Sequence, residues 1–128
     1  MTPPPRLVSI VTATRNRPDV LRRALASIRS QTFEQYEVIV VDDGSRSDVQ
    51  GEYEDIWRSL DQRFLLVREG PPGGPGSGPG VSRNRGLELA RGEYVAFLDH
   101  DDFWLRPDHL SVGVAALGEA DGDYFFRV

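Results

Sequence analysis

A three-layer α/β/α sandwich around a mainly parallel sheet is the fold class that this 128-residue sequence predicts, and three observations predict it. Short runs of β-branched and apolar residues recur along the chain, too uniformly apolar for strands with one wet face. Between them lie segments whose apolar residues fall at helical spacing. Most of the apolar runs lead into polar or charged turn formers on their carboxyl side, so the chemically interesting loops gather at one edge of the expected sheet.

The first strand is read from Leu7 through the run Leu-Val-Ser-Ile-Val-Thr-Ala. A polar turn, Thr14 to Arg17, precedes Pro18-Asp19, which suits a helix's first turn; Val20, Leu21, Ala24, Leu25 and Ile28 then continue at helical spacing to about Gln31-Thr32. Glu37 to Val41 reads as a second buried strand, stopped by Asp42-Asp43-Gly44-Ser45. A second helix places Val49, Tyr53, Ile56, Trp57 and Leu60 on one face, and Phe64 to Val67 is the third strand. From Gly70 to Gly80 every residue is Gly, Pro or Ser, which predicts a mobile loop, and helix resumes from about Ser82 to Ala90. Tyr94 to Leu98 forms a fourth strand that runs into Asp99-His100-Asp101-Asp102. A short helix from about Pro107 to Leu117 and a fifth strand beginning at Tyr124 complete the expected order.

The composition bounds the function classes. With 39% hydrophobic residues the chain can bury a core as a single domain, residues 1–128. The absence of cysteine excludes a disulfide scaffold and thiolate zinc sites. A net charge of −5 argues against a broad nucleic-acid surface. No stretch approaches the roughly 18 apolar residues of a membrane span, and the N-terminal Met-Thr-Pro-Pro-Pro-Arg lacks the apolar core of a signal peptide. The expected location is cytoplasmic, with any membrane association peripheral.

Three carboxylates within four residues, Asp99, Asp101 and Asp102, repel one another, and a divalent cation relieves that cost. Hard oxygen ligands suit Mg²⁺ or Mn²⁺. The apolar residues Val95 to Leu98 on one side and Phe103-Trp104 on the other are expected to hold the cluster in place, with His100 either an extra ligand or, by alternation, turned to the opposite side. Trp57 reads as core, whereas Trp104 either lines a sugar pocket or anchors the turn. Asp42-Asp43 either reads a ribose or base edge or builds the turn into the next helix, and one of the two is expected to do the latter. The Gly70 to Gly80 segment lacks the Lys-Ser/Thr ending of a P-loop. Arg83 begins a helix where a guanidinium beside backbone N–H groups could meet a diphosphate, while Arg85 is expected at the surface.

Five blocks now resemble a known family: Val8 to Asn16, Ser30-Gln-Thr-Phe33, Glu37 to Ser45, Ser82-Arg-Asn-Arg-Gly86, and Gly92 to Asp102. In this order, over nearly all of residues 7 to 104, they are similar to family 2 of the glycosyltransferases. The resemblance implies a GT-A (nucleotide-diphospho-sugar transferase) fold, of which this chain would be the donor-binding half. It implies a nucleotide-diphosphate sugar as donor and an acceptor hydroxyl on a glycan, lipid-linked glycan or protein, in cell-envelope polysaccharide synthesis. Asp43 would then meet the nucleobase with Asp42 close by, and Ala13, Thr14 and Arg15 would line the base pocket, Arg15 standing where many relatives carry an aromatic residue. Asp99 would lie near the ribose or metal, and Asp101 would hold the Mn²⁺ or Mg²⁺ that bridges the diphosphate. The family's general base comes from a later strand, so no catalytic residue is assigned within these 128 residues, and inverting transfer is expected of a longer enzyme.

Two rivals remain instructive. A receiver-type signalling domain shares an acidic pair, but needs a late lysine; all fifteen basic residues here are arginine. A non-catalytic sugar-nucleotide-binding module would carry the same donor motifs.

Overall fold

The computed structural model describes residues 7–119, and the expected strand at Tyr124 lies outside them. Eight elements alternate: β1 (Val8–Thr14), α1 (Pro18–Arg29), β2 (Tyr36–Asp43), α2 (Ser47–Arg58), β3 (Phe64–Glu69), α3 (Pro79–Leu89), β4 (Tyr94–Phe97) and α4 (His109–Glu119). The four strands are parallel, in the order β3-β2-β1-β4. All their carboxyl ends therefore share one edge, and the order reverses between β2 and β4 on either side of β1. This is the α/β sandwich that the sequence predicts.

Alternation along the central strands supplies the two buried faces. Val8, Ile10, Val38 and Val40 join Leu21, Leu25 and Ile28 of α1 and Tyr53 and Ile56 of α2 in one core, which Trp104 and Leu110 extend. Fully burying one such aliphatic side chain contributes about 1.5–3 kcal/mol, so this face dominates stability. Trp57 sits at the rim of the core and donates its indole N–H to the Phe64 carbonyl at 3.1 Å. Leu60 packs there too, from the turn that follows α2.

Val11, Ile39 and Val41 face the other way and are also buried, beneath α3. Here close approach replaces an apolar stripe. A Cβ at Gly86 would stand 2.4 Å from Val11 Cγ1, so glycine lets α3 lie directly on β1. The helix begins at Pro79, earlier than the expected Ser82, because proline is tolerated at the first helical position. The edge strand β4 departs from expectation as well. Its Val95 and Phe97 are 40% and 39% exposed, while Tyr94 and Ala96 on its other face are only partly buried against the core.

At the amino edge of the sheet, Glu37 ties β2 to β1 and to the turn before β4. Its carboxylate accepts hydrogen bonds from Ser9 Oγ at 2.5 Å and from the Arg91 backbone N–H at 2.6 Å. Gly92 N–H donates in turn to Ser9 Oγ at 2.8 Å. Burial alone would raise the Glu37 carboxyl, but the donors from Ser9 and Arg91 outweigh it and hold the group below its usual range.

Candidate donor site

The acidic loop leaves β4 at a fixed point. Leu98, 1% exposed, extends the sheet by donating its N–H to the Val11 carbonyl at 3.2 Å. On the far side Trp104 is buried, stacks on His109 with ring centroids 4.7 Å apart, and donates its backbone N–H to Ser27 Oγ at 3.1 Å. Of the two readings for Trp104, it takes the anchoring one. Phe103 is 37% exposed, with Arg23 over its ring, so Leu98 and Trp104 do the holding.

Gln31 braces the segment that follows. Its side-chain amide donates to the Arg106 carbonyl at 2.8 Å and accepts from Leu110 N–H at 3.0 Å, while Thr32 N–H reaches the Pro107 carbonyl at 2.8 Å. These bonds give the Ser-Gln-Thr-Phe block a structural reason, and nothing in its local pattern announces a partner 75 residues away.

Between these anchors Asp99, Asp101 and Asp102 each present a carboxylate oxygen, all within 4.8 Å of one another and all exposed. Asp102 thus joins the two aspartates expected as ligands. Arg83, on α3, reaches across to Asp99 at 2.9 Å and offsets part of the repulsion. His100 stays out of the cluster, and its Nδ1 lies 3.0 Å from Thr14 Oγ1.

A cavity of about 400 Å³ opens beside this loop, where strand order reverses. The acidic loop contributes Asp99, His100 and Asp101 to its wall, β1 contributes Ala13 and Thr14, and Arg15 follows them. Asp43 lines it from the end of β2, and Pro79, Ser82 and Arg83 from α3. Cavities of this size suit small organic ligands. Asp102 of the acidic cluster does not line this cavity, and neither does Asp42.

Alternation along β2 explains that separation. Asp42 points to the α2 side, is 0% exposed, and accepts from Ser45 N–H at 3.0 Å and from Ser45 Oγ, with Gln50 Nε2 at 3.3 Å. It builds the turn, as one of the pair was expected to do. Asp43 points to the α3 side, where its carboxylate accepts the backbone N–H groups of Ser77 at 2.8 Å and Gly78 at 2.9 Å. Those donors orient the carboxylate and leave acceptor capacity toward the cavity.

The Gly/Pro loop is thus attached to the site. Arg15 donates to the backbone carbonyls of Asp43 and Gly74 and clamps β2 to the loop. Gly76, at φ +72°, passes so close that an added Cβ would stand 2.5 Å from Arg15 Nη1 and 2.9 Å from Asp43 Oδ2. Arg85 is half-exposed and paired with Glu69 at 2.7 Å, which raises its pKa.

The chain is 35% identical over 123 residues to the succinoglycan biosynthesis protein ExoW of Rhizobium meliloti, covering 94% of this chain and 37% of that one. It is 34% identical over 99 residues to the UDP-Glc:alpha-D-GlcNAc-diphosphoundecaprenol beta-1,3-glucosyltransferase WfaP of Escherichia coli, covering 77% and 37%. Among solved structures, the mannosyltransferase PcManGT of Pyrobaculum calidifontis in complex with GDP-Man and Mn²⁺ superposes with a TM-score of 0.76 at 26% identity, over 88% of this chain and 32% of that chain. TarS 1-349 of S. aureus in complex with UDP-GlcNAc gives 0.70 at 30% identity, over 88% and 31%. The chain spans roughly a third of the length of these relatives. Residues 9–126 match the Glycosyl transferase family 2 model, and with the GT-A-like sheet and its acidic edge already described, the chain belongs to that family.

Proposed function

We propose that this chain is the donor-binding domain of a glycosyltransferase that takes a nucleotide-diphosphate sugar together with Mn²⁺ or Mg²⁺ and transfers the sugar, with inversion, to an acceptor hydroxyl. The observation that carries the reading is the meeting of Asp43 with Asp99 and Asp101 across one cavity at the reversal of strand order. Asp43 reads the nucleobase, and Ala13, Thr14 and Arg15 wall the base pocket. Asp42 holds the turn that presents Asp43. Arg83 exchanges its bond to Asp99 for a diphosphate oxygen, an exchange that suits a half-exposed guanidinium.

The donor set fits a hard divalent cation: three carboxylates converge, with no sulfur and no imidazole among them. Asp101 is the leading ligand, with Asp99 beside it. When bound, the cation supplies Lewis-acid stabilisation of the negative charge on the departing nucleoside diphosphate. The bonds of loop 70–80 with Arg15 and Asp43 hold it beside the bound donor.

The acceptor is a growing cell-envelope glycan, lipid-linked in the manner of the acceptor named for WfaP, and reached at the cytoplasmic face of the membrane. No helix among the described residues is long and apolar enough to cross a membrane. A thermal-shift panel tests the donor reading, because a ligand that binds only the folded state raises its stability by RT ln(1 + [L]/Kd). UDP or GDP should raise the melting temperature only when Mn²⁺ or Mg²⁺ is present. No response to any nucleotide, with or without metal, would refute the reading.

A further inference from the structure

Behind the cavity, hydrogen bonds converge on a residue that does not line it. Tyr53, in the middle of α2, is 0% exposed. Its hydroxyl oxygen lies 3.2 Å from Thr14 Oγ1 at the end of β1, accepts the Arg17 backbone N–H at 3.3 Å, and lies 3.3 Å from Ser45 Oγ after β2. One oxygen thus joins the loops that leave the two central strands.

Each partner carries the connection further. Thr14 Oγ1 is 3.0 Å from His100 Nδ1, which links the acidic loop to the same point. Ser45 Oγ donates to Asp42 and accepts the Asn16 N–H at 2.8 Å, and Asn16 Oδ1 accepts the Arg46 N–H at 2.7 Å. Asn16 sits at φ 56°, a left-handed conformation uncommon for a residue with a side chain. Reciprocal bonds of this kind hold it there.

A phenylalanine ring would fill the same space in the core, so packing does not require the hydroxyl. A buried hydroxyl is tolerated only where it finds partners, and this one finds them on the loops that bear the donor-site residues. We infer that Tyr53 is a positioning residue: its hydroxyl fixes the β1 and β2 loops and, through Thr14, the acidic loop, so that the base-reading and metal-holding carboxylates keep their separation before a donor arrives. The inference rests on the donor-site reading above.

Tyr53→Phe in this 128-residue chain tests it, read by amide hydrogen exchange and by titration with UDP and GDP in Mn²⁺. The amides of Asn16, Arg17 and Ser45 should exchange about tenfold faster relative to those of Val38 and Val40 in the sheet, and nucleotide affinity should fall about five- to tenfold, the worth of a net hydrogen bond. Ser45→Ala reaches the same junction from the other strand and should loosen the Arg17 amide, which bonds the Tyr53 hydroxyl and not Ser45. An unfolded Tyr53→Phe protein therefore does not remove the test, and an unchanged Arg17 amide in Ser45→Ala counts against the inference. Unchanged relative exchange, or acceleration spread evenly through the sheet, overturns the inference. Local acceleration with unaltered affinity overturns its link to the donor. An unaltered chain that binds neither nucleotide sinks the donor-site reading instead, and the exchange pattern still decides whether Tyr53 holds the loops.

Discussion

Asp42 and Asp43 are adjacent, both acidic and both buried, yet they differ in what surrounds them. Asp42 closes a turn against Ser45 and Gln50, and Asp43 meets a loop and a cavity. Removing a buried acceptor strands its donors, so Asp42→Ala should lower unfolding stability by about 2 kcal/mol. Asp43→Ala leaves its amide donors nearer to water and should cost about 1 kcal/mol or less, while weakening nucleotide binding at least tenfold. Urea unfolding and titration with UDP or GDP measure both; a larger stability loss for Asp43→Ala would contradict the assignment. The sequence supports the pair but does not sort it. Both faces of β2 are covered, so hydrophobic alternation is absent, and which face receives α2 is a tertiary fact.

Among the elements, α3 illustrates where local reading fails. The central strands β1 and β2 are legible because buried parallel strands are runs of β-branched residues, β3 and β4 from shorter apolar runs between turn formers, and α1 from its apolar stripe and Pro18. The start of α3 reads as loop, because Pro79-Gly80 continues the Gly/Pro run and the helix buries Ser82 and Gly86 rather than a leucine stripe. Its docking depends on what glycine lacks. Gly86→Ala should destabilise by about 1–3 kcal/mol through overpacking against Val11. Gly51→Ala, in α2 with nothing within 4 Å of its added Cβ, should instead stabilise by about 0.5–1 kcal/mol. Thermal unfolding of the two variants checks the contrast, and equal effects would mean that α3 does not lie so close to β1.

For the whole molecule, parallel strands in the order β3-β2-β1-β4 bring residues from distant parts of the chain to one edge. The acidic loop was legible from its carboxylates and from the resemblance it completes. The parts that hold it were not: Gln31 acts on residues 75 positions later, Arg15 clamps a loop 59 positions later, and Ser77 and Gly78 contribute backbone rather than side chains. Such partners carry no local pattern. On the proposed reading, their arrangement lets the cavity take a base, a diphosphate and a cation together.

The most direct measurement is calorimetric titration of the chain with UDP and GDP, with and without Mn²⁺, repeated on Asp101→Ala. Nucleotide binding should require Mn²⁺ and should be lost, or weakened at least tenfold, in the variant. Binding that proceeds equally without metal and without the Asp101 carboxylate would contradict the assignment of the acidic loop to the donor diphosphate.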